Sequence, residues 1–277
     1  FREEPLWGGS LINLTDPFGY GNFRYEIFDA ASGKLLYSRG FCTLYQEWQT
    51  TAEAKKMERS FHEVATFPFP KNKVNFVLSI RGRDGLFTKL YETGIDPASY
   101  FITREKPDAS LASRIYGSGD PHTSLDIAFI AEGYTRGEMD KFRADVKRLA
   151  DILFQEAPFD KYQDRINIWA VEAPSQESGT DVPGEGIYVN TALSASYYTF
   201  DVDRYLTTQD IRTVNNYAAA APHDQIVVLI NSPRYGGGGV YMSGTSTLRN
   251  CLVAGNRTTE PPKNGAGIYS ANAACVV

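Results

Sequence analysis

The sequence predicts an α+β multidomain chain: an N-terminal β-sandwich, then an incomplete α/β layer domain, then a short Gly-rich β tail. Three observations carry this prediction. Residues 1 to about 115 hold short period-two apolar runs separated by turn residues, the pattern of an all-β domain. From Leu125 onward, strand-like and helix-like patterns alternate, the order of an α/β layer. The run Gly236-Gly237-Gly238-Gly239 then closes that pattern, and short Gly-, Ser-, Thr- and Asn-rich pieces follow it.

In the first region, Asn22-Phe-Arg-Tyr-Glu-Ile-Phe28 alternates apolar and polar residues. Asp29-Ala-Ala-Ser-Gly33 supplies a turn, and Lys34-Leu-Leu-Tyr-Ser38 returns, which predicts a hairpin. A short helix is expected over Thr51 to Glu58. Pro68 and Pro70 delimit an extended piece from Phe61 to Phe69. Lys73-Val-Asn-Phe-Val-Leu-Ser-Ile80 reads as a second strong strand, stopped by Arg81-Gly-Arg-Asp-Gly85. Strands at this spacing favour a sandwich over residues 1–115.

Ile115-Tyr-Gly-Ser-Gly-Asp-Pro-His122 reads as a linker by composition. The α/β layer is expected over residues 123–235. Leu125-Asp-Ile-Ala-Phe-Ile-Ala131 is its first strand, and Thr135-Arg-Gly-Glu138 forms a capping box. Met139, Phe142, Val146, Leu149 and Leu153 recur at helical steps along one face. Lys141/Asp145 and Lys147/Asp151 stand at i,i+4 on the other side. Pro158 closes this helix. Arg165-Ile-Asn-Ile-Trp-Ala-Val171 is the next strand, a helix follows Thr207-Thr208 to about Ala220, and Gln225-Ile-Val-Val-Leu-Ile-Asn231 is apolar at nearly every position. Such a strand is covered on both faces.

The tail, residues 236–277, repeats weakly. Gly239-Val-Tyr241 and Gly267-Ile-Tyr269 lie 28 residues apart. Two readings fit: coils resembling right-handed parallel β-helix repeats, or a Gly-rich hairpin region. Two copies fall below the three or so that a solenoid needs.

The chain has 277 residues with 42% hydrophobic content, enough for a real core, and a formal net charge of −5 without a basic stripe. That argues against nucleic acid as a partner. The 17 Tyr and 16 Phe beside three Met lean towards β-rich, secreted proteins. No apolar run approaches the roughly 20 residues that span a bilayer. The first residue is Phe1, so any leader lies outside the sequence. Cys42, Cys251 and Cys275 allow at most one disulfide, with Cys251 to Cys275 possible and apolar-flanked thiols the simpler reading.

Chemistry-bearing motifs are scarce. The three histidines are His62, His122 and His223. His62-Glu-Val-Ala-Thr66 is one residue short of H-E-x-x-H: a helix would carry the second ligand where Thr66 stands. No G-x-S-x-G elbow, phosphate loop or dinucleotide fingerprint is present. The carboxylates Glu132, Glu172 and Asp181 sit just past strands or in the loop Glu177-Ser-Gly-Thr-Asp-Val-Pro-Gly184. In layered sheets, ligands bind beyond the carboxyl ends of the strands, so all three are substrate-cleft candidates; loop-entrance carboxylates on a plain surface are the competing reading.

Leu125-Asp-Ile-Ala-Phe-Ile-Ala-Glu-Gly-Tyr-Thr135 and the helix after it resemble the opening of the IgA-peptidase family of metallopeptidases. Pro158-Phe-Asp-Lys-Tyr-Gln-Asp-Arg-Ile-Asn167, Glu177 to Gly184, Tyr197-Tyr-Thr-Phe-Asp201, Arg204-Tyr-Leu206 and Asn231-Ser-Pro-Arg-Tyr-Gly-Gly-Gly-Gly239 continue the likeness in order. Arg59-Ser-Phe-His-Glu-Val64 running into Phe67-Pro68 is similar to the N-terminal β domain of some members. The likeness covers roughly residues 1 to 239. It implies a zincin-like fold, a zinc cofactor, and secreted, surface or periplasmic hydrolysis of a protein or peptide substrate. In the family a helix bearing H-E-x-x-H follows shortly after the Gly-rich loop; no position here matches its ligands or base. The expectation is a truncated or joined relative that is inactive as it stands, with no catalytic and no metal residue assigned. The alternative is a non-enzymatic surface or adhesion module binding glycan or protein. An H-E-x-x-H in the reading frame beyond Val277 would speak for the first, further 28-residue coils for the second.

Overall fold

The computed structural model describes residues 1–104 and 106–236, and three strands at 241–243, 251–254 and 269–271. Its backbone divides into two compact units, Phe1–Pro5 with Ser10–Lys106, and Leu6–Gly9 with Pro107–Val277. The fold class is α+β, with strands and few helices.

The first unit is built on one four-stranded antiparallel sheet, β1 (Phe23–Asp29), β2 (Leu35–Phe41), β3 (Val74–Arg81) and β4 (Phe87–Ile95), in the order β2-β1-β3-β4. The hairpin forms because the Asp29 carboxylate accepts from the Ser32 amide at 2.7 Å and the Ala31 amide at 3.2 Å, folding the turn onto itself. Phe23, Tyr25 and Ile27 then share one buried face. The Tyr25 ring packs on Tyr37 and Phe76 at 6.0 and 5.9 Å, and its hydroxyl donates to the Thr66 carbonyl at 2.6 Å, holding the extended 61–69 piece.

The helix expected over Thr51 to Glu58 lies earlier, as α1 (Leu44–Trp48), with only a 3₁₀ turn at Glu53–Lys55. Trp48 is the buried anchor. The Thr50 and Thr51 hydroxyls bond back to the Glu47 and Trp48 carbonyls, both at 2.7 Å, and offer the backbone an exit from the helix. β4 went unread because most of its residues are exposed and it alternates poorly. It lies at the edge of the sheet, carries Lys89 and Glu92, and is irregular opposite Leu78/Ser79, devices that blunt an edge.

The second unit carries β5 (Ala112–Tyr116), β6 (Leu125–Glu132), α2 (Met139–Leu153), β7 (Ile166–Val171), α3 (Ile211–Ala218), β8 (Gln225–Ile230), β9 (Tyr241–Ser243), β10 (Cys251–Ala254) and β11 (Tyr269–Ala271). Its five-stranded sheet runs β10-β8-β6-β7-β5, parallel throughout except for the antiparallel edge strand β5. β5 begins before the composition-defined linker and pairs Arg114 with Trp169. β6 is central, and seven of its eight residues are buried.

α2 follows its periodicity closely. Met139, Phe142, Val146, Ala150 and Leu153 are buried, while Leu149 is only half-buried, so the stripe drifts onto Ala150. The i,i+4 pairs Lys141–Asp145 and Lys147–Asp151 both close at 2.9 Å. α3 follows Thr207-Thr208 as expected and starts at Ile211, where the Asp210 carboxylate caps the Thr213 amide at 3.0 Å.

Apart from Gly236 and its three strands, the Gly-rich tail expected over 236–277 lies outside the described residues, as does Cys275. β10 continues the parallel sheet beside β8, with Cys251 opposite Val227. β9 and β11 pair in parallel with Tyr269 opposite Tyr241, the register of the 28-residue repeat. Among the described residues, no helix is long and apolar enough to cross a membrane.

Candidate functional site

The parallel strands β6, β7 and β8 deliver their carboxyl ends to one group of loops, residues 132–138, 172–201 and 231–236. Glu132, the last residue of β6, is 0% exposed. One carboxylate oxygen accepts from the Thr191 hydroxyl at 2.6 Å and the Ala195 amide at 2.8 Å, and the other from the Leu193 amide at 2.8 Å. Burial pushes this carboxyl up, and the Thr191 hydroxyl with the Ala195, Leu193 and Gly133 amides pulls against that shift. Glu132 is therefore a brace that ties the 191–195 loop to the strand end, with no oxygen turned to solvent.

The next residue, Gly133, has φ of +71° and packs directly on the Gly179 carbonyl oxygen, where any Cβ would collide. Its amide donates to the Ser175 hydroxyl at 3.0 Å, and Ser175 also takes the Ala192 amide at 2.9 Å. Asn231, just past β8, donates to the Gly133 carbonyl at 3.0 Å and to the Ser178 hydroxyl at 3.1 Å. Its amide oxygen accepts from Lys141 at 2.8 Å. The Glu138 carboxylate accepts from the Thr135 amide and hydroxyl, each at 2.8 Å, and from Ser178 at 2.9 Å. Burial opposes ionisation there, but these donors outweigh it and hold Glu138 below the usual glutamate range.

Glu172 pairs instead with Arg143 of α2, which also holds Asp140. Asp181 is half-buried, and its carboxylate accepts from the Val189 amide at 2.7 Å while its backbone bridges Ser196. Asp181 thus holds both ends of the segment 189–196 and Glu132 its middle, while Glu172 belongs to a separate ion pair. None of the three carboxylates hydrogen-bonds another. Sequence reasoning did not single out Ser175, Thr191, Gly133 or Asn231. A glutamate closing the apolar run Ile127-Ala-Phe-Ile-Ala131, followed directly by glycine, was the available signal.

Backbone strain concentrates in the same loops. Ser194, Tyr198, Phe200 and Asp201 have positive φ, between 52° and 64°, without being glycine. Such residues persist only where their surroundings over-determine them, and they cluster at functional sites.

His62 is exposed in the first unit. In the second unit, His122 Nδ1 lies 3.3 Å from the Gly9 carbonyl and His223 Nδ1 lies 3.0 Å from the Ala221 carbonyl. Among the described residues, no group of three His, Cys, Asp or Glu side chains could hold a metal ion. The undescribed part of the tail contains no histidine. The described residues therefore offer no ligand set of the kind a zinc centre uses, histidine ligands with an open water position.

In the second unit, a mixed sheet empties its parallel strands into one braced set of loops. Residues 114–258 match the family model described as IgA Peptidase M64, and residues 1–92 match that of the Peptidase M64 N-terminus. The chain belongs to this metallopeptidase family. The match runs on through the glycine run to residue 258, further than the motif-by-motif likeness that ends at 239. None of the curated proteins compared matches the chain.

Proposed function

We propose that this chain is the framework of a secreted or surface-exposed, zincin-like metallopeptidase relative directed at protein or peptide, and that its 277 residues alone do not hydrolyse peptide bonds. In this reading the N-terminal β-sandwich domain ends before β5 (Ala112–Tyr116), which pairs with β7 in the front of the peptidase layer, and 236–277 is a Gly-rich β tail. The observation that carries it is the family match over 114–258 joined to a histidine content of three, with no pair at i,i+4. Zinc in such a family polarises the scissile carbonyl and activates water; with no ligand set here, no hydrolytic step is assigned to any residue.

The loops beyond β6, β7 and β8 are the substrate side, as expected for ligands in layered sheets. Glu172 and Asp181 flank that side and remain its acidic candidates, and Glu132 shapes it from beneath. The aromatic-rich, methionine-poor composition supports an extracellular setting.

The test is a peptidase assay on the purified chain with denatured protein and quenched fluorescent peptides, with added zinc and with chelator. No cleavage above the chelated control is expected. Zinc-dependent, chelator-sensitive cleavage would overturn the reading.

A further inference from the structure

The chain leaves β8 through residues 231–236, and this short exit is held at Asn231, Ser232, Arg234 and Gly236. The Asn231 amide donates to the Glu132 carbonyl at 2.9 Å. The Tyr197 hydroxyl lies 2.7 Å from the Arg234 carbonyl and 3.2 Å from the Ser232 hydroxyl. The Arg234 guanidinium lies 5.3 Å from the Tyr197 ring centre and 5.9 Å from that of Tyr198, and pairs with Glu185. A Cβ on Gly236 would strike the Tyr197 ring, and one on Gly184 would strike the Tyr198 ring. The first glycine of the run is thus a packing glycine, small so that Tyr197 can lie against it.

Tyr197 is itself fixed from the other side. Its amide donates to the Asp181 carbonyl at 3.0 Å. Two residues earlier, Ala195 gives its amide to Glu132 and its carbonyl to the Thr180 hydroxyl at 2.7 Å. Leu193 likewise gives its amide to Glu132, and its carbonyl accepts from Thr208. Both oxygens of one buried carboxylate therefore hold the segment that presents Tyr197. An amide in that place would turn an NH₂ group towards N–H donors.

The geometry points to Glu132 and Tyr197 as a positioning relay: the carboxylate at the end of β6 sets the 193–195 segment, which aims Tyr197, which fixes the exit of β8. Neither is a catalytic residue. The relay's purpose, to hold the 231–236 exit against the substrate-side loops, rests on the peptidase reading; its existence does not.

Residue-resolved amide hydrogen exchange on the full chain tests it, with α2 and β7 amides as internal reference. Glu132→Gln should raise exchange at Leu193, Ala195, Asn231, Ser232 and Arg234 by about tenfold or more while α2 and β7 stay protected. Tyr197→Phe should raise it at Ser232 and Arg234 alone. In the double variant, exchange at Ser232 and Arg234 should rise little beyond Tyr197→Phe, the non-additivity expected of one coupled path. Should Glu132→Gln fail to fold, Thr191→Ala, which removes one donor to the same carboxylate, should give the same pattern at smaller size. The relay is overturned if Ser232 and Arg234 keep wild-type exchange when the carboxylate is altered, or if the two increases simply multiply. Because the readout needs no cleavage, an inactive chain leaves this test intact.

Discussion

Asp126 and Glu132 lie six positions apart on β6, both 0% exposed, and meet opposite fates. Glu132 has a donor for each oxygen. Asp126 accepts from Trp169 Nε1 at 2.6 Å and Asn167 Nδ2 at 3.1 Å on one oxygen, and the other has no hydrogen-bond partner. Burial therefore pushes the Asp126 carboxyl up, against the pull of Trp169, Asn167, Arg114 and His223. With the folded value above the unfolded one, its contribution is complete below about pH 4 and is lost as pH rises through the folded value. Asp126→Asn keeps the acceptor and removes the charge. It should stabilise the chain at pH 7 by about 1 kcal/mol or more, and the gain should vanish below about pH 4 in thermal melts run across pH. A variant less stable than wild type at pH 7 would contradict this. Gly133→Ala should act in the other direction: its positive φ and the Gly179 carbonyl leave no room for a methyl, and a loss of about 2 kcal/mol or more is expected in denaturant melts. Sequence position gave Glu132 as a strand-end carboxylate facing a cleft. What it could not give was the 191–195 loop folding back over it, a contact some sixty residues distant.

At the scale of elements, the start and buried face of α2 were legible, because one apolar stripe and one capping box agree, while the helix ends at Leu153, well before the Pro158 expected to close it. Phe142 is 0% exposed at its centre, so Phe142→Ala should cost about 3–5 kcal/mol, measured by chemical denaturation. Glu138 closes the helix start and also receives Ser178 and Asn231 from the loops. Its folded value is depressed, so its contribution is present above the unfolded value near pH 4.3 and is lost as pH falls through the folded one. Glu138→Ala should lower the melting temperature at pH 7, and the gap to wild type should narrow below about pH 4. A gap unchanged at acid pH would sink the capping argument. β4, β5 and α1 were less legible for physical reasons. β4 is an exposed edge without a clean alternation, β5 spans five residues that run into a Gly-rich stretch, and α1 is one short turn anchored by Trp48.

For the whole molecule, the order of strands and helices from Leu125 to Ile230 was readable, because apolar runs and a long helix dominate there. The partner of β8 was not. The sequence changes character at Gly236, yet β10 rejoins the same sheet in parallel and the family match continues to residue 258. A composition break is thus a poor guide to where a sheet ends. The proposal on which the reading turns is that this family framework, over these 277 residues, carries no zinc centre. Metal analysis of the purified chain after zinc loading and exhaustive dialysis tests it most directly. The account predicts far less than one zinc per chain; one tightly held zinc per chain, removed only by chelator, would contradict it.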